Sequence, residues 1–134
     1  MSNPNVIQQL AQLPAPDQAK IADLLGVEFV QTEERPHSRF FGVESPPAPY
    51  ARVELRQAKD EPRGLLVLAI DPEAGIGHDD LILPDYGEPT LDVNPHIPPE
   101  GVVTKLFGVG AVDLAFQGTT QSRRLRLISL RWTP

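Results

Sequence analysis

Apolar residues recur at helical spacing only near the start of the chain. Val6, Ile7, Leu10 and Leu13 fall on one stripe, Asn3 is placed to cap, and Pro4 suits a first turn. A helix is therefore predicted there, ended by Leu13-Pro14. A second helix is predicted over Pro16 to Leu25, with Ala19, Ile21, Leu24 and Leu25 apolar and Gly26 as its stop. The two make a helical hairpin with a Pro-Ala-Pro joint, a cap over residues 1–26.

From Val27 the period changes. Val27, Phe29 and Phe40-Phe41 read as short extended pieces around the polar run Gln31–Ser38, and SPPAP at 45–49 as a rigid connector. YARVELRQ then alternates cleanly: Ala51, Val53 and Leu55 on one face, Arg52, Glu54 and Arg56 on the other. The continuous apolar run LLVLAI at 65–70 reads as a central strand, paired with the preceding one in an antiparallel hairpin. His78, Asp79 or Asp80 opens a short predicted helix carrying Leu81, Ile82 and Leu83, closed by Pro84 or Gly87. Three more strands follow: Val102 to Phe107, a Gly-Val-Gly turn, AVDLAF, and RRLRLISLRW.

In that last strand Leu125 and Leu127 share one parity, while Ile128, Leu130 and Trp132 share the other. A slip between Leu127 and Ile128 signals a β-bulge or a change of packing partner. The predicted fold class is α+β, one domain over 1–134. A helical cap precedes a β-rich body at 27–134, an antiparallel sheet of about five strands with one short inserted helix.

Composition changes this picture little. The 134 residues suffice for one domain. Proline is the exception: the 15 prolines lie between apolar runs, so they punctuate structure and do not form a disordered tract. The absence of cysteine excludes disulfides, thiolate metal sites and cysteine nucleophiles. No run approaches the ~20 apolar residues of a membrane span, and MSNPNVIQQL lacks the features of a secretory signal, so a cytoplasmic location is expected.

Charge is more informative. The formal charge is −6, yet residues 60–100 hold ten acids and one base, Arg63, while residues 101–134 carry +4. An acidic field of that kind opposes nucleic acid and anionic membranes and steers a basic partner inward, although a solvated acidic loop also serves solubility alone. At its heart lies LPDYGEPTLDVNPH (83–96), with Asp85, Glu88, Asp92, Tyr86 and His96. Read in context it is a rigid acidic connecting loop.

Candidate chemistry is thin. His37, His78 and His96 lie far apart, with no helical ligand spacing, and His78-Asp79-Asp80 lacks the alternating acids of a calcium loop. Neither a bound metal nor a cofactor is expected. Asp85 and Glu88 flank a turn, which keeps them solvated and unsuited to paired-carboxylate catalysis. There is no GxSxG elbow, and GVG at 108–110 lacks the remainder of a dinucleotide site. Arg124 and Arg126 could present a basic ribbon to phosphate, but alternate arginines on an outer strand face are ordinarily solvated or paired.

Protein recognition remains. The order of DDLILPDYGEPTLDV (79–93), VVTKLF, AVDLAF and RRLRLISLRW resembles half-modules of the beta-lactamase-inhibitor-protein type. It also resembles small cytoplasmic immunity proteins encoded beside bacterial polymorphic or type VI secretion toxins. The resemblance implies a protein that neutralises a cognate toxin by occluding its active site, with no catalytic role of its own. The expected partner contacts are Asp79, Asp80, Asp85, Tyr86, Glu88 and Asp92, with Tyr86 as anchor or packed beneath its turn. Trp132 follows Ile128 and Leu130 in phase and is assigned to the core. Two rivals stand beside this reading: a secretion-system adaptor or chaperone using the N-terminal helices and an apolar groove, and a small hydrolase built on His78, Asp79 and Asp80.

Overall fold

The fold was analysed on a computed structural model that describes residues 4–98 and 100–133. The expected cap at Asn3 lies outside the described residues. Helix α1 runs Pro4–Ala11 and α2 Gln18–Leu25. Asp17 caps α2 by accepting from the Lys20 amide at 3.2 Å, and Gly26 closes it in the left-handed conformation at φ +67°, where a glycine carries no Cβ penalty.

Eight strands follow: β1 (Val30–Glu34), β2 (Ser38–Gly42), β3 (Tyr50–Ala58), β4 (Gly64–Ile70), β5 (Thr90–Asn94), β6 (Val102–Val109), β7 (Val112–Thr119) and β8 (Leu125–Trp132). They form one antiparallel sheet in the order β1-β2-β3-β4-β8-β7-β6-β5. Each half is a four-stranded meander, and the halves join through their last strands, with Leu66 opposite Leu130 and Leu68 opposite Ile128.

The α+β class and the helical hairpin agree with expectation; the strand count does not. The three additional strands are the two edges, β1 and β5, and β2 beside one edge. Every residue of β1 and β5 is exposed, so neither carries the one-sided burial that period-2 reading detects. The region 83–96 is therefore not connecting loop throughout, because its second half is β5.

The predicted helix after His78 is absent as well. The backbone there is occupied by the start of β8: Gly77 bridges Arg124, the His78 amide donates to the Arg123 carbonyl at 2.8 Å, and the Leu125 amide donates to Ile76. Only a short 3-10 turn, Pro84–Tyr86, forms downstream.

One sheet face is covered. The buried rows Phe41-Leu55-Leu66-Leu130-Leu114-Phe107 and Val53-Leu68-Ile128-Phe116 cross the strands, and Ile7, Leu10, Ile21 and Leu25 of the helices join them with Leu81 and Tyr86 in one apolar cluster. The helical joint is fastened to the sheet at two points. Trp132 Nε1 donates to the Leu13 carbonyl and Gln57 Nε2 to the Pro16 carbonyl, both at 2.8 Å. The opposite face carries Leu65, Val67, Ala69 and Leu127 half-buried among Arg52, Arg56 and Arg131.

The parity slip in β8 is a bulge, placed earlier than the sequence suggested. Gly118 pairs with Leu125 while Gln117 pairs with Leu127, which leaves Arg126 as the extra residue. Leu125 and Ile128 thus both face the core, and Leu127 does not.

Candidate protein-binding surface

The expected contact residues divide into three groups. Asp80, Asp85, Glu88 and Asp92 are exposed and, among the described residues, form no ion pair. Asp80 is held by its turn, its Oδ2 accepting from the Gly77 amide at 2.7 Å. Asp85 and Glu88 flank the 3-10 turn, and Asp92 sits at the middle of β5, opposite Thr104.

Asp79 is exposed but not electrostatically free. Lys105 Nζ reaches its Oδ1 at 2.5 Å and Arg123 reaches Oδ2 at 3.4 Å. The Lys105 hydrogen bond, opposed in part by desolvation, holds the Asp79 carboxyl below the ordinary carboxylate range. Asp79 therefore ties the 77–83 turn to β6 and contributes little free charge.

Tyr86 is corrected outright as an anchor. Its ring is only 7% exposed and packs 5.6 Å from Phe107 and 6.1 Å from Phe116, centroid to centroid. The turn presents Asp85 and Gly87 to solvent and swings the ring between them inward. Its hydroxyl has no hydrogen-bond partner, and burial, reinforced by Asp85, pushes it up to about 12.

Two results are expected from Tyr86. Tyr86→Phe removes a buried hydroxyl that bonds to nothing and should stabilise the chain by about 1 kcal/mol in urea unfolding. The raised value also sets a pH window. An unfolded tyrosine ionises near ~10, so between about pH 10 and 12 the unfolded chain loses a proton that folded Tyr86 retains. Stability falls as pH rises through that window. In Tyr86→Phe only the contribution of Tyr50 remains, whose hydroxyl is also raised by burial. An unchanged alkaline profile would contradict this assignment.

The hydrolase constellation is not assembled. His78 is 3% exposed; its Nε2 donates to the Phe116 carbonyl at 2.8 Å, and its ring lies on Gly118. With Asp80 on the Gly77 amide and Asp79 on Lys105, neither carboxylate accepts from the imidazole. Among the described residues no three His, Asp or Glu side chains come together as a metal site.

Sequence reading missed Leu91 and Val93. They are 59% and 57% exposed, the two most exposed large apolar side chains of the described residues, and they lie on β5 beside Asp92. The signal was present: Thr-Leu-Asp-Val-Asn alternates as a strand does, but proline, glycine and acids on both sides disguise it as loop. Also missed was a clamp between the two ends of the β6-β7 hairpin's neighbours. Glu100 accepts from the Gln121 amide at 2.9 Å, the Ser122 amide at 2.6 Å and the Ser122 hydroxyl at 2.9 Å. The Ser122 amide foremost, these donors hold the Glu100 carboxyl below its ordinary range.

Among the described residues no helix is long and apolar enough to cross a membrane. No protein-family model, curated protein or solved structure matches the chain.

Proposed function

We propose that this chain acts by binding another protein through the side of the sheet bordered by Asp80, Asp85, Glu88 and Asp92. In its specific form, it is an immunity protein that neutralises a cognate bacterial toxin by covering the toxin's active site. One observation carries the reading: four exposed carboxylates without ion-pair partners surround an exposed apolar strip, Leu91 and Val93, at one edge of the fold. Unpaired acids give fast, oriented encounter with a basic surface, and desolvated apolar area supplies holding energy.

The rivals draw less support. The hydrolase requires His78 to reach a substrate, and its ring is buried against Gly118. The adaptor requires an apolar groove on the helices, whose stripe of Ile7, Leu10, Ile21 and Leu25 is packed on the chain's own sheet.

Co-expression with the product of the adjacent gene tests the specific form. The expected result is relief of that product's toxicity together with a complex that survives size-exclusion chromatography. Undiminished toxicity with no complex would remove the immunity reading.

A further inference from the structure

The two edges of the sheet are built differently. Edge β1 is guarded: a bulge interrupts its register between Gln31 and Glu33, and its charged flank is engaged. Glu33 pairs with Arg35, while Glu34 meets Arg39 at 3.4 Å and Lys59 at 3.6 Å. Bulges and charge are the devices by which soluble sheets blunt an edge against strand addition.

Edge β5 has neither a bulge nor a basic residue. Its register to β6 is regular, from Thr90 opposite Leu106 to Asn94 opposite Val102. Pro89 and Pro95 bound it, leaving an open slot of five residues, about 17 Å at the rise of an extended chain. Leu91 and Val93 share the face of Lys105 and Val103, beyond the reach of the helical cover, and Asp92 points to the other face. Alternate amides and carbonyls of an edge strand point away from its only neighbour and are free to pair.

We propose that β5 is a strand-pairing edge that takes an extended segment of a partner protein as a ninth strand, the segment alternating apolar with basic residues. The inference rests on the protein-binding reading above and specifies its mode. Apolar residues of the added strand would pack against Leu91 and Val93, and a lysine or arginine between them would meet Asp92, with Glu88 and Asp85 within the same acidic border.

Charge complementarity selects this occupant over a second copy of the chain. Only one antiparallel self-pairing register sets Leu91 against Val93 in both directions, the one centred on Asp92. That register places Asp92 directly opposite its own copy, a destabilising like-charge pair. It also brings two acidic borders together.

The test uses the isotopically labelled full chain and a synthetic peptide, Lys-Thr-Val-Lys-Val-Thr-Lys, with glutamate replacing every lysine in the control. The expected result is saturable amide shifts at 90–94 and in the facing part of β6, at least tenfold weaker with the glutamate peptide. The double variant Leu91→Lys, Val93→Lys should abolish them; both side chains are exposed, so the fold is retained and the unperturbed remainder of the spectrum verifies it.

Absence of saturable shifts would overturn the proposal, as would binding that the double variant leaves intact. Shifts confined to 79–88 would also overturn it and leave an acidic contact surface standing. A sedimenting dimer of the wild-type chain that the double variant dissociates would assign the edge to a second copy. With a natural partner in hand, a complex weakened by charge reversal at Asp80, Asp85 and Glu88 but indifferent to the double variant removes strand addition alone.

Discussion

Trp132→Ala is expected to lower stability by about 3–5 kcal/mol, a large share of the ~5–15 kcal/mol that holds a domain of this size. Trp132 is wholly buried and lies in the row Gly64-Trp132-Val112, under the joint of the helical hairpin. Two losses combine. The cavity left by the indole is lined by sheet on one side and by the proline joint on the other, neither of which can collapse freely. The Leu13 carbonyl also loses the indole N–H that satisfied it at 2.8 Å. Trp132→Phe separates these terms: it refills most of the volume but orphans the carbonyl, and should cost about 1–3 kcal/mol. Urea unfolding monitored by circular dichroism reads both variants. Equal stability of Trp132→Phe and wild type would show that the hydrogen bond contributes nothing.

Gly118→Ala is the second large effect. A Cβ on Gly118 would stand 2.5 Å from His78 Cγ and 2.7 Å from Nδ1, closer than any real contact, so the ring must leave. Its departure breaks the Nε2 bond to the Phe116 carbonyl and disturbs the turn that the His78 amide fastens to Arg123. Overpacking of about 1–3 kcal/mol and a lost buried hydrogen bond of about 1 kcal/mol sum to ~2–4 kcal/mol. The distinguishing result is the double variant. With His78→Ala the clash has no object, so Gly118→Ala/His78→Ala should cost at least about 1 kcal/mol less than the two single changes together. Simple additivity would contradict the assignment of His78 as a packing residue on Gly118 and reopen a chemical role for its ring.

The parts of the fold legible in the sequence are those in which one face is buried and the other is not. Val53 and Leu55 of β3 alternate with charged residues because the covered sheet face begins there, and the apolar run of β4 is central because both of its sides pair. Asp17 and Gly26 bound α2 by local capping, which operates regardless of the remainder of the molecule. Trp132 was placed correctly because its phase with Ile128 and Leu130 is set by the strand itself.

Failures came where tertiary context decides. The residues of β1 and β5 hydrogen-bond on one side only and bury neither face, so pairing, invisible to periodicity, makes them strands. The segment from His78 to Leu83 has the composition of a helix start, yet its backbone pairs with residues some 45 positions later. Tyr86 sits among turn residues and acids, which reads as exposed, while the 3-10 turn rotates its ring towards Phe107 and Phe116. In the candidate site the acids were legible as composition. Which of them is free was not: Asp79 is engaged by Lys105 and Arg123, 26 and 44 positions away.

The association rate with the adjacent gene's product, measured for the wild-type chain and for a variant with lysine at positions 80, 85, 88 and 92, tests the binding account most directly. Exposed charges act chiefly on encounter, so the variant should associate at least tenfold more slowly at low ionic strength. Salt should narrow the difference as it screens the wild-type field. Equal association rates across salt, with the variant folded, would contradict the claim that this acidic edge is where the partner arrives.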